Sequence, residues 1–142
     1  MITFQTDRVE MPPIDKEKVC RWLEAVARSH GYAMGNVNYC FCGDEEILSA
    51  NRQFLGHDYY TDVITFDYTG AGRVSGDVLI SLDTVRSNAA LVGESYDREL
   101  MRVIAHGVLH LCGIDDKGPG EREIMEMNEN AALGMYARLP EQ

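Results

Sequence analysis

The sequence predicts an α+β fold, a small mixed β-sheet packed against helices, with a central helix that binds metal. Three observations carry this expectation. The periodicity of apolar residues switches in the order β, α, β, α, β, β, α, α, α, which describes helices layered on a small sheet rather than an alternating doubly wound fold. The stretch 96–112 is apolar over a surface broad enough for a sheet-packed position, through Leu100, Val103, Ile104, Val108, Leu109 and Leu111. The same stretch carries His106 and His110, one helical turn apart. With 142 residues, the chain is long enough to bury about two thirds of its unfolded surface, so residues 1–142 are expected to form a single domain.

Each element has a local signal. Asp15 is a candidate cap for a helix over 15–30, where Val19, Trp22, Leu23 and Val26 follow the i, i+3, i+4, i+7 spacing and Gly31 supplies the stop. Val37, Tyr39 and Phe41 alternate with smaller or polar residues over 36–42, the pattern of a strand with one buried face. Gly43 and Asp44 open a second helix through about Leu55, with Asp44 as cap and Glu45 and Glu46 suited to the positive end of the helix dipole. Strands are expected at 62–68 and 77–82, as antiparallel neighbours joined through the Gly-rich segment 69–73. Asp83 is the expected cap of a helix ending at Val92 before Gly93, and Ser95 that of the long helix at 96–112. After a loop at 117–120, residues 121–133 form a last helical run.

Composition narrows the function. The chain is 45% hydrophobic and 25% charged, ordinary values for a globular domain. A formal net charge of −10 and a pI near 4.7 exclude a non-specific nucleic-acid coat, because affinity for phosphate comes mostly from Lys and Arg. A nuclease remains compatible, since a metal and a few arginines can make one cleft locally positive. The first residues lack a basic region followed by an apolar run, and no segment reaches the roughly 18 apolar residues of a membrane span. A cytoplasmic protein with no membrane partner is expected. Cys20, Cys40, Cys42 and Cys112 lack paired Cys-x-x-Cys spacing and read as core or near-surface residues.

The chemistry concentrates in His106-Gly-Val-Leu-His110-Leu-Cys-Gly113-Ile-Asp115-Asp116. Residues i and i+4 of a helix have Cβ atoms about 5–6 Å apart on one face, so two imidazoles can converge on one divalent ion. Gly113 can take the positive φ that ends the helix and turns the chain back across its end. Asp116, or else Asp115, then returns as third ligand and leaves a fourth position for water, as catalytic zinc sites require. The order is zincin-like, yet H-E-x-x-H proteases place a general-base Glu after the first His, where this chain has Gly107.

That stretch resembles the signature H-G-x-L-H-L-x-G-x-D-H of the YbeY family of bacterial metal-dependent endoribonucleases. Thr61-Asp62-Val63-Ile64-Thr65-Phe66 is similar to the family's T-D-V-L-S-F strand, and Gly76-Asp77-Val78-Leu79-Ile80-Ser81 to its G-D-I-x-I-S strand. The resemblance covers most of residues 36–130. It implies a single-strand-specific endoribonuclease that matures ribosomal RNA at the 3′ end of the small-subunit RNA, takes part in ribosome quality control, and works beside the small ribosomal subunit. It also implies one zinc ion per chain, held by His106, His110 and the residue at 116.

Two departures from the family pattern have chemical consequences. Asp116 stands where the family has a third His. A carboxylate binds zinc at about 2.0–2.2 Å but weakens the ion's pull on bound water, and it makes manganese or another first-row metal more compatible. Leu55 stands where the family has an arginine, so phosphate contacts must come from elsewhere. Arg52 and Arg86 are candidates for them through their forked donors. Asp62, Asp77 and Asp115 are candidates for proton transfer or water positioning, and His57 for a base or an RNA-stacking group. The competing readings are a zinc peptidase with an unconventional base and a ribosome-assembly binding protein with a structural metal.

Overall fold

The computed structural model describes residues 1–56 and 61–140. Its elements are β1 (Ile2–Thr6), α1 (Lys16–Ser29), β2 (Ala33–Cys42), α2 (Asp44–Ala50) continued by a π-helical turn (Asn51–Leu55), β3 (Val63–Asp67), β4 (Arg73–Ser81), α3 (Leu82–Val92), α4 (Tyr96–Leu111) and α5 (Glu121–Arg138). The sheet order is β1-β2-β4-β3, with β1 parallel to β2, β2 parallel to β4, and β3 antiparallel to β4. The mixed sheet and the β3/β4 pairing agree with the sequence. Strand β1, which pairs Ile2 with Val37 and Phe4 with Tyr39, is the first strand of the expected order, to which the sequence assigned no bounds. It is five residues long, and what pairs it with β2 is a crossover through α1 rather than a local turn.

Alternation along the strands sorts the layers. Val37, Tyr39, Phe41, Val74, Val78 and Ile80 face a core shared with Trp22 and Leu23 of α1, Ile104, Val108 and Leu109 of α4, and Met125 and Ala132 of α5. The indole Nε1 of Trp22 donates to the Ala132 carbonyl at 2.7 Å, and the Tyr39 hydroxyl donates to the Ile104 carbonyl at 2.6 Å. Both buried polar groups are therefore satisfied while tying α5 to α1 and α4 to the sheet. On the other sheet face, α2 packs Ile47 and Ala50 against Cys42 and Ile64.

Caps differ from expectation where elements meet. Asp15 caps α1 by accepting from the Lys18 N–H at 3.1 Å, and Ser95 caps α4 by accepting from Arg98 N–H at 3.1 Å. Asp44, however, does not cap α2: Gly43 is the N-cap, and Glu46 reaches back to the Gly43 N–H at 2.9 Å. The Asp44 carboxylate instead accepts from the Ser81 and Thr84 hydroxyls at 2.7 and 2.5 Å. Ser81, not Asp83, caps α3, because β4 runs directly into that helix. Asp83 accepts from the Asp44 N–H at 3.0 Å and so joins the starts of α2 and α3. All four cysteines are free, and burial pushes the Cys42 thiol up to about 12, consistent with an inert core residue. Among the described residues, no helix is long and apolar enough to cross a membrane.

Candidate active site

Helix α4 has two unlike faces around its histidines. Gly107 presses on β4, where a Cβ would lie 2.8 Å from Val78 Cγ1 and 3.5 Å from the Tyr39 hydroxyl oxygen. The neighbouring turn positions His106 and His110 look away from the sheet into a cleft of about 850 Å³. Their rings are parallel to within 3°, with centroids 6.3 Å apart. Helices α3 and α5 both pack on α4 and form the sides of this cleft.

The helix ends as its glycine requires. Gly113 has φ +91°, and its N–H donates to the His110 carbonyl at 3.0 Å while the Ile114 N–H donates to Leu109 at 3.2 Å. This is the paired Schellman pattern, and it reverses the chain across the end of α4. Asp116 thereby lines the cleft, with Oδ2 3.6 Å from His106 Nε2. Asp115 is exposed and does not line it.

A carboxylate that sequence reasoning missed orients the first histidine. Glu129 of α5, 9% exposed, places Oε2 2.8 Å from His106 Nδ1. An ionised carboxylate only accepts, so Nδ1 donates to Glu129, and in the neutral ring this leaves the Nε2 lone pair for the cleft. Arg102 holds the other Glu129 oxygen at 3.3 Å and lies 3.7 Å from Glu99. Burial disfavours the charged His106 ring, but the Glu129 hydrogen bond and the nearby charges of Glu129, Asp116 and Asp62 outweigh it, and the pKa is raised. Burial raises Asp62, against the lowering pull of His106, and likewise raises Glu99 against Arg102.

The donor set suits a divalent ion. Tetrahedral zinc with nitrogen and oxygen ligands at about 2.0–2.2 Å separates its donor atoms by roughly 3.4 Å. The 3.6 Å between His106 Nε2 and Asp116 Oδ2 is close to that edge. His110 contributes a buried Nδ1 that has no hydrogen-bond partner among the described residues. Among the described residues, no three His, Cys, Asp or Glu side chains yet converge on one point. The match therefore rests on donor chemistry, on one donor–donor distance and on the orphaned nitrogen.

The other candidates separate clearly. Asp62 lines the cleft beside His106. Asp77 does not: it alternates with the buried Val78 and so lies on the sheet face turned away from α4. Arg52 is exposed on the π-helical turn and does not line the cleft. Arg86 lies over the Tyr96 ring at 4.8 Å, in a separate hollow beside Met11 and Pro12. His57 lies outside the described residues. Leu55 lines the cleft, 43% exposed. Cations the sequence reading did not single out, Arg102, Lys117 and Arg122, line it as well.

A family model described as Endoribonuclease YbeY matches residues 1–137. The chain is similar to a protein named endoribonuclease YbeY from Bacteroides thetaiotaomicron, 60% identical over 134 residues that cover 94% of this chain and 98% of that one. It is also similar to one of the same name from Phocaeicola vulgatus, 59% identical over 137 residues covering 96% and 99%. The solution structure of a Thermotoga maritima protein superposes with a TM-score of 0.68 at 27% identity, covering 96% of this chain and 89% of that one. With a family match that runs over residues 1–137, the chain belongs to the YbeY family.

Proposed function

We propose that this protein is a metal-dependent endoribonuclease that cuts single-stranded ribosomal RNA during maturation of the small-subunit RNA, in the cytoplasm and beside the small ribosomal subunit. The observation that carries the reading is that His106, His110 and Asp116 all line one cleft, in a chain of the YbeY family. These three side chains would hold one zinc ion, or manganese given the carboxylate at 116. When bound, such an ion activates water and neutralises charge on a phosphoryl oxygen. This makes α4 a zincin-like metal-binding helix.

The remaining roles belong to the protein. Glu129 fixes the His106 tautomer, the usual duty of a carboxylate behind a ligating imidazole. Asp62 faces the same space, its pKa raised by burial against the lowering pull of His106, and is the side chain placed to exchange a proton there. The peptidase reading loses its chemistry here, because the position of the customary base is packed on Val78 and has no room for a side chain.

Purified protein incubated with single-stranded RNA, duplex RNA and casein, with and without chelator, tests the proposal. Cutting of single-stranded RNA alone, abolished by chelator and restored by zinc or manganese, is expected. Cleavage of casein would establish the peptidase, and RNA cutting indifferent to chelator would remove the metal from the mechanism. No cutting at all, together with a large drop in melting temperature on chelation, would favour the structural metal of an assembly factor.

A further inference from the structure

The cleft is a poor place for a polyanion unless something local reverses its charge. Asp62, Glu94, Glu99, Asp116, Glu126 and Glu129 line it, against Arg102, Lys117 and Arg122. Arg102 is committed to Glu129 and Glu99 at 3.3 and 3.7 Å. Lys117 and Arg122 are exposed, and among the described residues neither makes an ion pair. Lys117 directly follows Asp116, whose carboxylate is 3.6 Å from His106. Arg122 stands in the first turn of α5, and at 1.5 Å per residue it lies about 10 Å along the helix from Glu129. Both cations therefore lie toward the start of α5, Lys117 adjacent in sequence to Asp116.

The α3 side has the opposite character. Leu91 and Val92, its last two residues, line the cleft while 83% and 66% exposed. Leu55, at the position where the family resemblance implied an arginine, adds to the apolar lining. A ligand with one anionic edge and one apolar face matches such a cleft, and an unpaired nucleotide strand has both. In a duplex the base faces are stacked inside and cannot reach an aliphatic wall.

We propose that Lys117 and Arg122 are the phosphate-positioning residues of this chain, replacing the arginine that Leu55 displaces, and that Leu91 and Val92 receive a nucleobase of the same strand. The inference rests on the endoribonuclease reading and adds to it the direction in which the strand lies across the cleft. Aliphatic contact has no hydrogen-bonding preference, so the wall selects unpaired over paired RNA and discriminates little among the four bases.

The test is binding of a short fluorophore-labelled single-stranded RNA with a nuclease-resistant 2′-O-methyl phosphorothioate backbone to the metal-loaded protein, followed by anisotropy over a series of salt concentrations. Each phosphate contact on single-stranded nucleic acid contributes about 0.7 to the slope of log K against log salt. Lys117→Gln and Arg122→Gln should each weaken binding several-fold and lower the slope by about 0.7, and the double variant by about 1.4. Leu91→Ser with Val92→Ser should weaken binding and leave the slope unchanged, and Arg86→Gln, in the separate hollow, should change neither. Wild-type affinity and slope in the Lys117 and Arg122 variants overturn the inference alone. A wild-type protein that binds no RNA overturns the endoribonuclease reading and this inference with it.

Discussion

Gly107→Glu is expected to leave the protein unfolded at 25 °C, and Gly107→Ala to melt below wild type but keep the fold. A Cβ at 107 would stand 2.8 Å from Val78 Cγ1 and 3.2 Å from Cγ2, both on a fully buried side chain of the central strand β4. Overpacking of this kind costs about 1–3 kcal/mol. Glutamate adds a carboxylate aimed into an apolar layer with no partner, a further cost of several kcal/mol even after it is neutralised by protonation. Against a typical stability of about 5–15 kcal/mol, the sum is enough to unfold a small domain. Circular dichroism and thermal melts of the two variants check this. A well-folded Gly107→Glu protein with wild-type melting temperature would show that α4 is not seated on the sheet as described.

The second large effect concerns metal retention and cleavage together. His106→Ala removes a ligand and should abolish chelator-sensitive RNA cutting, while the helix, which buries other residues, stays folded. Glu129→Gln keeps the size and the hydrogen bond but removes the charge behind His106 Nδ1, 2.8 Å away. Loss of such a supporting carboxylate typically costs 10–100-fold in metal affinity. The expected signature of Glu129→Gln is weak cutting at limiting metal that recovers as metal is raised, whereas His106→Ala stays inactive throughout. Recovery of His106→Ala to wild-type rates would remove that residue from the site.

Local signals were legible and long-range ones were not. The i, i+4 spacing placed His106 and His110 on one face, and Gly113 announced the turn that carries Asp116 back, because both follow from backbone geometry within ten residues. Asp15 and Ser95 cap their helices for the same reason. Asp44 and Asp83 misled because a carboxylate at a helix start also bonds across elements, here to Ser81, Thr84 and the Asp44 N–H. Glu129 had a readable trace: a carboxylate on the stripe Met125, Glu129, Ala132, at i, i+4, i+7, interrupts an otherwise buried helix face. A charge at such a position needs a buried partner, and which partner depends on how α5 crosses α4. Arg86 was selected on residue type alone, and only the fold reveals that its guanidinium lies on Tyr96 rather than in the cleft.

X-ray absorption at the zinc edge of the metal-loaded protein examines the central claim most directly. The account predicts two imidazole nitrogens at about 2.0–2.1 Å and oxygens, one from Asp116 and one from water, at about 2.0–2.2 Å. In Asp116→His a third imidazole should replace one oxygen. A first shell containing sulfur, or one unaltered by Asp116→His and His110→Ala, would place the ion elsewhere and contradict the account.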